Sequence, residues 1–178
     1  MYLQFIEMAK KIKTVNLKTF KRQVGQKRKV LTTFLRGIHN RKVSRLNQRV
    51  KELDQQAFQE IDCLDCGNCC KQMTPTYTKK DIKRISSHFK MTEKEYFDKY
   101  LYKDESGDIM HQSTPCYFLQ RDNKCSIYEI RPDDCRGFPH LHKSDFKNAS
   151  TINIQNIDYC PITFKVVSAL YDQIVNKK

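Results

Sequence analysis

The sequence predicts a mainly α-helical protein: a small cysteine-rich helical domain with one short β-hairpin, behind a basic helical N-terminal extension. Three observations carry this expectation. Apolar residues recur at helical spacing from Val43 to Ile61 and again after Cys160. Two helix-start signals, at Thr78 and Thr92, lie between those stretches. All eight cysteines fall between Cys63 and Cys160, in a chain of 178 residues whose hydrophobic content is only 39%. That content is thin for an unaided core, so another source of stability is expected.

The elements follow in chain order. Residues 1–60 contain no proline and two glycines, Gly25 and Gly37. Leu31, Leu35 and Ile38 suit a helical arm, while the first 25 residues are expected to be mobile. From Val43 through Leu46, Val50, Leu53, Ala57 and Ile61 the steps are 3, 4, 3, 4 and 4, which predicts a helix over about 40–62. Thr78-Lys79-Lys80-Asp81 reads as a capping box with Asp in place of Glu, and Ile82, Ile85 and Phe89 form the stripe behind it. Thr92 with Glu95 opens a further helix carrying Tyr96, Phe97, Tyr100 and Leu101. Asp104 to Asp108 is a turn. Two short apolar runs flank Gln120 to Asn123, which predicts a hairpin with Cys116 and Cys125 on its arms. Ser126 with Glu129 reads as another capping box, and Pro132 suits the first turn of a short helix carrying Cys135. Ile162, Val166, Ala169, Leu170 and Ile174 define a terminal helix after Cys160-Pro161. Residues 1–40 form the basic extension in this reading, and 41–178 the cysteine-cluster domain.

The formal net charge of +13 is uneven. Residues 1–60 hold 15 Lys/Arg against 4 Asp/Glu, a net of +11, and the remaining residues carry +2. Nucleic acid, an acidic partner or an anionic membrane surface would each attract such a segment, and a solvated helix face explains it equally. No recognised RNA- or DNA-binding motif accompanies it. The N-terminus lacks an apolar signal-peptide core, and no stretch approaches the length of a transmembrane segment, so the chain reads as cytoplasmic.

In a reducing compartment, clustered cysteines bind metal more often than they pair. The stretch CLDCGNCC places Cys63, Cys66, Cys69 and Cys70 within eight residues, and Cys116, Cys125, Cys135 and Cys160 follow. A two-residue gap lets two thiolates reach one metal from a single turn, and distant cysteines close the site across the fold. Eight thiols satisfy two zinc sites or two iron–sulfur clusters, each taking four thiolates, or one site with spare thiols. Three close cysteines with a remote Cys160-Pro161 lean toward iron–sulfur, although Cys70 has no place in that scheme. The domain is thus expected to be stapled by zinc or iron, with the metal a fold-holder or a reactive centre.

CLDCGNCC, PCYFL, CSIYEIRPDDCRGFP and the distal CP together resemble the YkgJ-type cysteine-cluster family, the CxxCxxCC group. The resemblance covers about residues 60–165 and implies zinc or iron chelation. It matches Cys63, Cys66, Cys69, Cys70, Cys116, Cys125, Cys135 and Cys160 to the family's cysteines, and Arg131, Pro132, Arg136 and Pro139 to its RP…CR-x-x-P stretch. A related domain occurs in a flagellin lysine methylase, but the resemblance implies no particular reaction.

Other residues carry less. Arg131 and Arg136 flank Cys135 and suit charge compensation of thiolates or an anion site. His140 and His142 are not needed as ligands beside eight thiols, and Tyr117, Phe118, Tyr128 and Phe138 suit core packing or a shell that limits water. No GxGxxG, Walker, HExxH or GxSxG pattern is present, nor the CxxxCxxC of radical-SAM enzymes. Three classes stay open: a metal-binding module, an iron–sulfur enzyme with redox or methyl-transfer chemistry, and a nucleic-acid- or ribosome-associated protein with a structural zinc domain.

Overall fold

The structure is a computed structural model that describes residues 15–142 and 145–177. The start of the expected basic extension, residues 1–14, lies outside the described residues. Among the described residues the chain is mainly helical with a single two-stranded antiparallel hairpin, as the sequence predicts.

Helix α1 spans Leu17–Arg36. The Asn16 side chain caps it by accepting the Thr19 amide at 2.9 Å. Phe20, Val24, Leu31, Phe34 and Leu35 bury one face. A 3-10 turn, Ile38–Asn40, follows Gly37. Helix α2 spans Leu46–Glu60, shorter than the expected 40–62. Arg45 in the left-handed region, at φ 52°, stops it from reaching back further, just after the five-residue step from Ile38 to Val43 that breaks the helical spacing. Two short helical turns, α3 (Cys63–Cys66) and α4 (Asn68–Gln72), carry the first four cysteines.

Helices α5 (Lys79–His88) and α6 (Glu93–Tyr100) begin at the two anticipated capping boxes. Strands β1 (Leu101–Lys103) and β2 (Ile109–His111) pair with Leu101 opposite His111. The hairpin therefore turns at 104–108, one loop earlier than expected. Asp104 accepts the Asp108 amide at 2.8 Å, and Gly107 supplies φ 90°. The anticipated arms around 120–123 keep only one bridging pair, Leu119 with Cys125. The Cys116 amide is drawn away to the Cys70 carbonyl at 2.7 Å. Ser126 does not cap a helix; its hydroxyl donates to the Phe118 carbonyl. Helix α7 (Asp133–Gly137) follows Pro132 as anticipated. Helix α8 (Ser150–Tyr159) is an addition, and α9 (Pro161–Tyr171) is the terminal helix, with Pro161 in its first turn.

Two apolar clusters result. Helices α1, α2, α8 and α9 share the first, with Phe20 edge-on to Phe164 at 5.8 Å and Phe34 edge-on to Tyr171 at 5.5 Å. The second joins α5, α6, the hairpin and the following loop through Phe89, Tyr96, Tyr100 and Phe118. Cys160 belongs to the first cluster, whereas Cys116 and Cys125 pack against the second. The cysteines lie where the two meet. No helix among the described residues is long and apolar enough to cross a membrane.

Asp81 couples α5 to the cysteine region. Fully buried, it accepts the amides of Thr78 and Asp133 at 2.9 and 3.1 Å and also pairs with Arg84. Arg84 in turn donates to the carbonyls of Ile130 and Arg131. The entry to the Cys135 helix is thereby fixed. Burial alone would raise the Asp81 carboxyl, but hydrogen bonds from Thr78, Asp133 and Arg84 hold it below its ordinary value. A depressed carboxylate stabilises the fold above its unfolded pKa of about 3.9 and loses that contribution as pH falls through its lower folded value. Asp81→Asn should therefore cost about 2–3 kcal/mol at pH 7, the range for hydrogen bonds to a charged group. Denaturant titrations across pH should show variant and native stabilities converging at acid pH.

Candidate metal centre

The local chain chemistry forces the CxxCxxCC stretch into two consecutive tight turns. Asp62 caps α3 by accepting the Leu64 amide at 2.8 Å. Gly67 ends it in the left-handed region at φ 55°, with its amide bonded to the Cys63 carbonyl. A Cβ at Gly67 would stand 3.1 Å from Asn123 Cβ and 3.3 Å from the Asn123 carbonyl oxygen. Glycine is required there for both backbone and space.

The stretch is held from both sides. The buried Asn68 side chain donates to the Tyr159 carbonyl at 2.7 Å, next to Cys160. On the other side, Asn123 Nδ2 donates to the Asp65 carbonyl at 3.1 Å, between Cys116 and Cys125 in the chain. Asp134 fixes α7: it accepts the Thr76 amide at 3.1 Å and pairs with His140 Nε2 at 2.9 Å. Neither Asn68 nor Asn123 stands out in the sequence, where each reads as an ordinary turn residue. His142 is 2.9 Å from the buried Asp54, away from the thiols.

All eight predicted cysteines are free thiols. Cys66 and Cys160 are buried, Cys63 is exposed overall, and the rest are half-buried. Six of them, Cys63, Cys69, Cys70, Cys116, Cys125 and Cys135, line one cavity of about 120 Å³. Its remaining wall is largely apolar, formed by residues such as Met73, Tyr77, Phe118, Ile127 and Phe138, with Arg131 and Asp134 as polar members. Of the two anticipated arginines, Arg131 stacks on the Tyr128 ring, 3.7 Å from its centre, lines the cavity and by its charge opposes the upward push of burial on Cys125, whereas Arg136 donates to the Glu129 carbonyl instead. The Cys69 and Cys70 sulfurs are 3.9 Å apart. Among the described residues, no three His, Cys, Asp or Glu side chains converge on a single ion-sized point. The thiols surround a space.

Two opposed influences act on these sulfurs. Burial, then the neighbouring Cys160 and Cys66, pushes Cys63 up to about 12. Burial likewise raises Cys116 and Cys160 to about 11, and drives Cys135 higher still with Cys70 as its nearest sulfur neighbour. Against this, backbone amides are aimed at the sulfurs from two or three residues ahead. Asn68 donates to Cys66, Phe118 and Leu119 to Cys116, Ile127 to Cys125, and Ile162 and Thr163 to Cys160. Such donors favour the thiolate. Cys70, bonded to Cys69, is lowered to about 7. Amide-cradled sulfurs, Cys116 and Cys125 in the cavity wall and Cys66 and Cys160 buried outside it, suit a ligated cation, which holds a thiol deprotonated outright. The residues present therefore fit a thiolate-bound metal.

Seen with its relatives, a metal-chelating class of protein is the one this site defines. Residues 62–161 match the family described as "CxxCxxCC: Putative zinc- or iron-chelating domain", and the chain belongs to that family. It is similar to an uncharacterized protein of Methanocaldococcus jannaschii, 32% identical over 102 residues, which are 55% of each chain. The chain thus spans about half the length of that relative. No solved structure matches.

Two outcomes test the site geometry. Gly67→Ala should lower stability by about 1–2 kcal/mol from the left-handed backbone alone, read from the denaturant midpoint. In metal-free, reduced protein, alkylation mapped by mass spectrometry should label Cys70 first, with a midpoint near pH 7, because its thiolate forms as pH rises past about 7. Cys63, Cys116 and Cys160 should resist until far more alkaline pH.

Proposed function

We propose that this protein chelates metal through two four-thiol sets, Cys63, Cys66, Cys69 and Cys160 in one, and Cys70, Cys116, Cys125 and Cys135 in the other. The observation that carries the proposal is the set of backbone amides aimed at Cys66, Cys116, Cys125 and Cys160. A thiol accepts such bonds weakly and a thiolate strongly, so these donors match the needs of a thiolate ligand. The grouping follows from neighbourhood. Cys63 and Cys69 feel the charge of Cys160, and Cys160 that of Cys66, whereas Cys116 feels Cys125, Cys135 feels both Cys116 and Cys125, and Cys70 acts on members of both sets. Cys69 and Cys70 are the junction.

Iron–sulfur is favoured over zinc for the second set. A single zinc holds its sulfurs at about 2.3 Å and fills no cavity, whereas a polynuclear cluster on four cysteines needs space among them. The cavity of about 120 Å³ among the thiols supplies that space. The apolar wall would limit water at the centre, and Arg131 would offset part of its negative charge. A bound cluster would supply electron storage or transfer. A structural zinc is the second reading for the more buried set, since closed thiolate sites of that kind hold folds together.

Paired substitutions test the grouping. Cys135→Ala should lose the metal of the second set and keep that of the first, and Cys160→Ala the reverse. The measurement is metal and acid-labile sulfide per chain, with far-UV circular dichroism to establish folding. Equal loss of all metal in both folded variants would contradict two sets.

A further inference from the structure

Between Val15 and Lys51 the chain carries twelve Lys/Arg and not one Asp/Glu. The metal centre makes no use of this segment. On α1, Lys18, Arg22, Lys29 and Arg36 are all exposed. With Gly25 they stand at steps of 4, 3, 4 and 7, which places them on one line down the helix. The line covers about 27 Å at the α-helical rise. Gly25 lies in its middle, and a Cβ there would meet nothing within 4 Å, so the backbone is open to close approach. None of the four forms an ion pair among the described residues, whereas Arg28, off the line, is held by Asp158 at 2.8 Å. Arg41, Lys42 and Arg45 in the following loop are exposed as well. That loop is pinned by Lys147, which donates to the carbonyls of His39 and Arg41 at 3.2 and 2.9 Å.

We propose that this outward face of α1, with the loop after it, is a docking surface for the phosphate backbone of a nucleic-acid duplex. Charge complementarity points to the occupant: a rigid row of exposed cations, with no ion pair among the described residues, matches a regular row of phosphates. Two observations separate this occupant from others. A membrane-surface helix inserts its apolar face into the lipid boundary, but the apolar face of α1 is already buried in the core through Phe20, Val24, Leu31, Phe34 and Leu35. A protein interface centres on buried aromatic or aliphatic anchors, and the large exposed hydrophobic that α1 offers is Val30 alone among the described residues. Binding through such a row positions a backbone and reads no sequence.

The test uses the full chain in its metal-loaded form and a labelled 20-base-pair DNA duplex of mixed sequence, with fluorescence anisotropy followed over 50–200 mM salt. The logarithm of affinity should fall linearly with the logarithm of salt, at about 0.9 per phosphate contacted. The quadruple variant Lys18→Gln, Arg22→Gln, Lys29→Gln, Arg36→Gln should bind at least tenfold more weakly and lose about 3–4 from the slope. A second variant, Arg22→Lys with Arg36→Lys, keeps the charges and should retain both affinity and slope. A control on four exposed lysines elsewhere, Lys80, Lys90, Lys94 and Lys103 to Gln, should change the slope by less than 1. Equal loss in the control and the quadruple variant would overturn the proposal. So would duplex binding unchanged by the quadruple substitution, or tighter binding to anionic phosphatidylserine vesicles or poly-glutamate than to the duplex. Metal content of each variant is read alongside, so failure of the docking surface and failure of the metal assignment are distinguishable.

Discussion

The double anchoring of the CxxCxxCC stretch is the constraint on which the structure depends. Asn68 ties it to the carbonyl before Cys160, and Asn123 ties it to the loop between Cys116 and Cys125. The buried Asn68 amide must find its partner, because leaving it unsatisfied costs about 1–3 kcal/mol, while Asn123 makes its bond at the more open side. The four consecutive thiols are thus forced between two apolar clusters, one built on α1, α2, α8 and α9 and the other on α5, α6 and the hairpin. Removing either anchor frees the stretch from one of its neighbours.

The placement also gives the low hydrophobic content a physical meaning. The core is split into two clusters, and the boundary between them is occupied by thiols and a cavity where a single-core protein would place leucine and phenylalanine. A metal bound at such a boundary would add its binding free energy to the folded state only, and so would couple the two clusters. Asp81, Arg84 and Asp134 serve the same end from the second cluster. They fix the approach of α7, and with it Cys135, by hydrogen bonds to backbone amides and carbonyls.

Local chemistry was legible in the sequence wherever it was strong. The boxes at Thr78 and Thr92 cap α5 and α6 because hydroxyl, carboxylate and amides lie within four residues of one another. The apolar spacing from Leu46 to Ala57 became α2, and Pro161 opened α9. Helix α8 was not legible, since its buried face includes Ser150, Asn153 and Asn156 and its apolar pattern is weak. The segment from Cys116 to Cys125 keeps part of the anticipated hairpin, with the Ser126 amide bonded to the Phe118 carbonyl and Leu119 opposite Cys125, but its first arm is shortened because the Cys116 amide donates to the Cys70 carbonyl. The cysteines themselves were visible as a set from their spacing. Their neighbours were not, because which thiol adjoins which depends on the turns at Gly67 and on the two asparagine anchors.

The central claim, that the gathered thiols are metal ligands, is tested most directly by anaerobic purification of the native chain, with metal and acid-labile sulfide analysis and an absorption spectrum. The account predicts stoichiometric thiolate-bound metal, with iron, sulfide and visible absorption for the centre at the cavity. A folded protein that carries no metal, and in which all eight cysteines react as free thiols once denatured, would contradict it.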